Sequence, residues 1–395
     1  MSCRVVPCVA LLLFIGASRT VLAIEQAEVA PVIPPPPVVV DPVPSIDWSE
    51  RLPPGPRILF GVDYLNWWLR EGRVPATLTT SSRASQGQLG QPDTQILYGN
   101  QRLPTRHNDE FAGVRGTLDW WFNESRTFGF EMNAFFLERD STHFKAISDG
   151  STLLALPFAQ TDGSQGSYIV AGQAPSGPRN GQFVGYSRIE LFGEEANFMA
   201  MLLRTENFRL DALAGARFLQ MRDRTDFTST SRSLPSQSML FGVEDHYRTA
   251  NAYYGGQLGL RGELIYGRWS LTSRAEIGLG GNDEKIREFG YYLVQSPTSR
   301  GVTPVGLTVQ ANNTSTFQRT DLNMVTSADL NLRYRFSKHV SISGGYTFLL
   351  WDGPMRSGDQ VNTVINNNPG APPSVLYRRD VFWAQGVNVG LTLTW

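Results

Sequence analysis

Gly113-Val114-Arg115-Gly116-Thr117-Leu118-Asp119-Trp120-Trp121-Phe122 is the stretch that decides the fold. Val114, Gly116, Leu118, Trp120 and Phe122 fall on one side of a two-residue repeat, and Gly113, Arg115, Thr117 and Asp119 on the other. Successive side chains of a strand point to opposite faces, so this period means an extended chain with one apolar and one polar face. A short polar turn at Asn123-Glu124-Ser125 follows, and the alternation resumes with Phe128, Phe130, Met132, Ala134 and Phe136 against Glu131 and Asn133. The pattern returns as Leu210, Ala212, Ala214, Ala216 and Phe218 against Arg209, Asp211 and Arg217, and as Leu258, Leu260 and Leu264 against Gln257, Arg261 and Glu263. It returns again as Trp269, Leu271, Ser273, Ala275, Ile277 and Leu279 against Thr272, Arg274 and Glu276, and over 328–336, 340–350 and 381–395. From Arg57 to the end the sequence predicts ten such strands, or twelve if a long loop hides a hairpin.

The connections discriminate between a soluble sandwich and a membrane barrel. Long segments (71–106, 139–187, 225–246, 282–320, 352–379) alternate strictly with tight ones (123–125, 205–207, 266–268, 337–339). Long loops on one side and short turns on the other are the topology of an antiparallel up-and-down barrel of a bacterial outer membrane, with turns and termini in the periplasm. The aromatic residues fit two interfacial girdles: Trp120, Phe122, Phe128, Trp269, Phe336 and Trp395 at the turn side, and Trp67, Trp68, Trp351 and Trp383 near the opposite rim.

Composition sets the surroundings. The 395 residues carry a formal charge of -1, with 22 Phe, 13 Tyr and 9 Trp. The absence of a basic excess argues against nucleic acid as a partner. Residues 1–23 read as a cleaved signal peptide, with Arg4 ahead of the apolar run 9–15 and Val21-Leu22-Ala23 at the cleavage site. Cys3 and Cys8, the two cysteines, lie inside it, which leaves no thiol for disulfides or metals in the mature chain. Residues 24–56, rich in proline from Pro31 through Pro56, read as an extended periplasmic tether, and 57–395 as the barrel. Beyond the signal no apolar run reaches the roughly 18 residues of a spanning helix.

Near the carboxy terminus, Asn388, Gly390, Leu393 and Trp395 set a polar residue, a glycine, an apolar residue and a final aromatic on one strand. This resembles the signal by which the outer-membrane barrel assembly machinery recognises a last strand, an amphipathic edge able to pair with an open sheet.

Several stretches resemble a family of β-barrel porins known mainly from planctomycete bacteria. They are Asp63-Tyr64-Leu65-Asn66-Trp67-Trp68, Leu78-Thr79-Thr80, the segments 210–218 and 251–260, Gly345-Tyr346-Thr347-Phe348-Leu349-Leu350-Trp351 with Arg356, Gly358, Asp359 and Gln360, and the segment 382–388. Asn362 stands where the pattern leads one to expect an acidic residue. The resemblance implies an outer-membrane barrel and brings neither an established solute nor catalytic residues.

The inward faces place Arg115, Arg209, Arg217, Arg261, Arg274, Arg333 and Arg335 against Asp119, Glu131, Glu195, Asp211, Glu263, Glu276 and Asp329. Two readings follow: a screened, weakly selective passive pore for small solutes, or a lumen laced shut by ion pairs, which the modest width of a ten-stranded ring favours. A closed structural or adhesive barrel working through its loops is the alternative class, and Arg356, Asp359 and Gln360 mark the one stretch of long loop where a fixed structure is sought, with two readings: a lid folded back over the mouth or a simple turn. The remote alternative is an outer-membrane protease, with Asp245-His246 and Asp140 with His143 as mouth candidates. No catalytic site, metal or cofactor is expected, and the partners expected are outer-membrane lipid and the assembly machinery.

Overall fold

In the computed structural model, the structure describes residues 56–103, 110–311, 313–365 and 375–395; the signal and nearly all of the proline-rich tether lie outside the described residues. Ten strands form the wall: β1 (Ile58–Leu69), β2 (Glu110–Trp121), β3 (Phe128–Leu137, continued upward as Asp140–Ser148), β4 (Gly177–Arg204), β5 (Phe208–Ser233), β6 (Leu240–Tyr266), β7 (Trp269–Gln295), β8 (Ser315–Arg335), β9 (Val340–Trp351) and β10 (Phe382–Thr394). Each pairs antiparallel with its neighbours in sequence, and β1 pairs with β10 from Leu59 opposite Thr394 to Leu69 opposite Ala384, so the ring closes. No helix among the described residues is long and apolar enough to cross a membrane.

The alternation read from the sequence is the wall's inside-outside pattern. Phe60, Val114, Leu118, Met132, Leu258, Leu260 and Ile277 are exposed on the outer surface, whereas Asp119, Glu131, Asp211 and Glu276 are buried in the bore. The tight turns gather at one end with Arg57 and Trp395, whose carbonyl accepts from the Arg57 and Ile58 N–H groups. Gly267 turns the corner between the paired Tyr266 and Trp269 at a φ of 58, in the left-handed region that favours glycine. Trp120, Phe122, Phe128, Trp269, Phe336 and Trp395 all stand exposed at this rim and form the lower girdle.

Two expectations need correction. Trp67 and Trp351 are buried in the bore and do not join an upper girdle; their odd-numbered strand positions face inward with Leu65, Leu69 and Leu349. Three of the long segments, 139–187, 225–246 and 282–320, are also largely strand. β4 to β7 run 28, 26, 27 and 27 residues, against the roughly 9–11 a membrane span requires, so their upper parts rise beyond the bilayer. The segment 225–246 shrinks to a connection over 234–239. A hairpin does lie in 139–187, at Leu154–Gln160 and Gln165–Ala174, but it joins Leu78–Thr80, Gln95–Tyr98 and Val364–Ile365 in a small sheet at the mouth and leaves the wall at ten strands. Above the membrane both faces of a strand can be polar, as in Asp283-Glu284-Lys285, so the two-residue signal fades while the backbone pairing continues.

Leu258 lies in the lower, membrane-level part of β6 and is 65 % exposed on the outer wall. Leu258→Arg is expected to cost about 2–4 kcal/mol of folding free energy in lipid, while Leu258→Phe is tolerated. Urea titration of refolding into vesicles checks this, and equal midpoints for the two variants would contradict a lipid-facing wall.

Candidate functional site

The bore is filled in layers. Lowest is a network of charges that crosses from strand to strand. Arg261 on β6 reaches Asp119 on β2 at 3.0 Å, Glu131 on β3 at 2.8 Å and Asp211 on β5 at 3.3 Å. Arg115 on β2 bonds Asp63 at 2.9 Å and, across the bore, Asp329 on β8 at 3.0 Å. Arg217 bonds Glu195 at 2.5 Å and Glu276 at 2.6 Å. Arg209 bonds Asp211 at 2.8 Å and stacks 4.0 Å from the Trp121 ring. Desolvating a charge costs several kcal/mol unless it is paired and hydrogen-bonded, and Asn133, Asn197 and Gln257 supply further bonds to the same carboxylates. Asn133 and Gln257 stand on the polar faces read from the sequence; Asn197 and the inward role of Asp63 escaped that reading, although their phase on the strands was the signal that could have found them.

Glu131, Glu195 and Glu276 present oxygens within 4.8 Å of one another, a spacing compatible with a metal ion. The terminal nitrogen of Arg274 already occupies that position, 2.8, 2.7 and 2.7 Å from the three carboxylates. The cluster is therefore an arginine socket. Glu263 and Arg333 line a recess of about 210 Å³ open at the turn side. Arg335 lies outside the network, at the rim, where it donates to the Gly267 carbonyl at 3.2 Å.

Above the charges comes an apolar plug. Leu65, Trp67, Phe111, Leu191, Tyr253 and Trp351 belong to one buried cluster contributed by nearly every strand of the wall. On β4, Gly193 leaves room for it: a Cβ there would meet the Phe135 ring at 2.3 Å and Leu219 at 2.6 Å.

The last long connection enters the bore from above and rests on this plug. Arg356 donates from Nε to Asp223 at 2.5 Å and from Nη1 to the Arg70 carbonyl at 2.9 Å. The Asn251 amide brackets Met355, donating to its carbonyl and accepting from its N–H, both at 2.8 Å. Gln360, fully buried, donates to the Arg356 and Arg378 carbonyls and accepts from the Arg378 N–H. Asp359 is the middle residue of the 3₁₀ turn Gly358–Gln360, and burial pushes its carboxyl up to about 6.

A second apolar cluster, including Leu78, Tyr98, Leu156, Phe183, Phe227 and Tyr247, roofs the mouth beneath the small sheet. Here Asp245 accepts from the N–H groups of Leu307, Thr308 and Val309 and so holds another loop inside the mouth. His246 points the other way, to Asp226 at 2.8 Å and Glu244 at 3.3 Å. His143 is exposed against Tyr186, on the face opposite to Asp140. The two candidate protease pairs are thus split between opposite faces of the wall.

Residues 60–395 match the model of a family described as "Putative beta barrel porin-7". The chain belongs to this family. It is an outer-membrane β-barrel, and the family match covers the wall from the third residue of β1 to the end of β10. No curated protein matches the sequence. Among solved structures, the outer membrane protease OmpT of Escherichia coli is similar at 10% identity over 88% of this chain and 99% of that one, with a TM-score of 0.37. A Pseudomonas aeruginosa FadL homologue is similar at 9% identity over 86% and 89%, TM-score 0.24, and the Pseudomonas putida toluene transporter TodX at 7% over 85% and 89%, TM-score 0.18.

In the extracellular part, burial and then the charge of Asp245 push the Glu288 carboxyl up to about 8, and burial raises Asp245 too, against the pull of the amides it binds. A carboxyl raised on folding contributes stability that is fully present below its unfolded value, near 4.3 for glutamate, and is lost as pH rises through the folded value. The loop at Leu307 to Val309 should therefore be held more tightly at pH 5 than at pH 9. Proteolysis within 296–314, normalised to a free peptide of that sequence, should slow at the lower pH, and Glu288→Gln should flatten much of the difference. Equal rates at both pH values in the unmodified protein would contradict this account.

Proposed function

We propose that the protein is a narrow passive channel of a bacterial outer membrane, closed in this structure. The observation that carries this reading is the order in which the bore is filled. A polar lower half, with recesses of about 210, 100 and 50 Å³, ends at the apolar plug, and the plug is capped by a connection tied to the wall chiefly through Asp223 and Asn251. A barrel serving only as an anchor would gain as much from apolar packing as from burying so many ion pairs, so the polar half supports a route for water and small polar solutes. With acidic and basic groups interleaved, such a route would choose weakly by sign.

No catalytic role, cofactor or nucleic-acid partner belongs to this reading; Asp245 is engaged by backbone amides, and His246 faces away from it. The partners proposed are outer-membrane lipid around the wall and the assembly machinery at Asn388, Gly390, Leu393 and Trp395. The sheet roofing the mouth favours a second reading, a closed surface barrel whose extracellular part carries the role.

Conductance separates the two. Residues 24–395 refolded into planar bilayers should open rarely, and Trp67→Ala with Trp351→Ala and deletion of 355–360 should raise the open fraction by roughly tenfold or more. If that variant stays silent while its circular dichroism and gel mobility show a folded barrel, the channel reading fails and the surface reading stands. Deleting Trp395 is expected to leave export intact and to block membrane assembly in cells; normal assembly would remove the role given to the terminal strand.

A further inference from the structure

We propose that the outward face of β4 to β7, just above the bilayer, is a docking site for the phosphate-bearing headgroups of outer-leaflet lipid. In the register of these strands Arg188 stands opposite Arg224, Arg224 opposite Arg248, and Arg248 opposite Arg287. Four arginines thus line up across four neighbouring strands. Like charges directly opposed on one face of a sheet destabilise it, so the arrangement calls for an anion. The next line toward the membrane reads Glu190, Arg222, Ala250 and Lys285 in the same register, adding two cations and one acid.

The acids nearby do not neutralise this face. Glu190 is shared between Arg188 at 2.8 Å and Arg139 at 2.7 Å, and Asp226 pairs with Arg224 at 2.5 Å. Arg222, Arg248, Lys285 and Arg287 make no ion pair with a described residue. The guanidinium groups of Arg248 and Arg287 lie 4.8 and 5.0 Å from the Phe289 ring, which orients them without supplying charge. Nε of Arg248 is buried without a hydrogen-bond partner. Between these side chains lies a recess of about 310 Å³, and guanidinium groups offer the forked donor geometry that phosphate accepts.

Position names the occupant. The last apolar line on the outer wall runs through Phe218, Tyr254 and Leu322, joined in register by Gly281. Arg222 is four residues above Phe218, roughly 13 Å of strand, which with tilt places it near the headgroup zone flanking a hydrocarbon core of about 30 Å. Long basic side chains reach down toward that zone from above. On β8 the two cationic lines end in Thr316 and Gln318, so the site is one-sided. A lipid phosphate is held at this height by its own chains, whereas a soluble anion is not. The inference rests on the outer-membrane location and is independent of whether the bore opens.

The test uses residues 24–395 refolded into phosphatidylcholine vesicles containing a few mole percent of bisphosphorylated lipid A, or the same glycolipid with its phosphates removed. The phosphorylated form should co-purify with the barrel and raise its thermal midpoint, and the dephosphorylated form should do neither. Replacing Arg222, Arg248, Lys285 and Arg287 with Gln should weaken retention about tenfold or more while the strand signature in circular dichroism is kept. Equal retention of the two glycolipids by the unmodified protein overturns the proposal, and this comparison stands even if the variant does not fold. Unchanged retention by a folded variant also overturns it. An equal rise in midpoint with millimolar inorganic phosphate in vesicles lacking lipid A overturns the lipid assignment, since the face would then take a soluble anion.

Discussion

Hydrocarbon offers no hydrogen-bond partner to a peptide group, so every N–H and C=O within the bilayer must find one inside the protein. The pairing of β1 with β10 meets that demand, because without it two edges would face lipid. Other features follow from the closure. An even number of strands brings both ends of the ring to the turn side, alternation assigns each side chain to lipid or bore, and ten strands fix a bore that side chains and inserted loops are large enough to fill.

How the bore is filled is a matter of electrostatics below and packing above. Charges taken from water are tolerated when each meets several partners, and the arginines do so by reaching across the ring: Arg261 to β2 and β3, Arg115 to β8, Arg274 to three glutamates at once. The apolar plug sits between this network and the mouth. Arg356 enters the bore above the plug together with the carboxylate of Asp223, since a lone guanidinium there would be left without compensation.

Much of this was legible in the sequence wherever hydropathy and geometry carry the same period. The stretch around Trp120 gave strand, face and turn at once, and the inward charges from Arg115 to Arg274 were placed by phase alone. Trp67 and Trp351 were misassigned because an aromatic near a strand end suits either a girdle or a core, and its phase had to be weighed above its chemistry. The tops of β4 to β7 were read as loops because water on the outside removes the contrast between faces, although the ladder of backbone bonds runs on.

The sequence by itself determined the strand character of the wall, its inside and outside faces, the side on which the turns lie and the balanced charge of the bore, since each is a local property repeated along the chain; the choice between ten and twelve strands waited for the pairing of the hairpin at the mouth. Only the tertiary structure decided which charges meet across the ring, that two tryptophans complete a plug, that residues 355–360 descend onto it, and that four arginines on separate strands fall into one line. Those facts depend on the register between segments far apart in the chain, and register is set by ring closure and backbone pairing, which no single stretch of sequence contains.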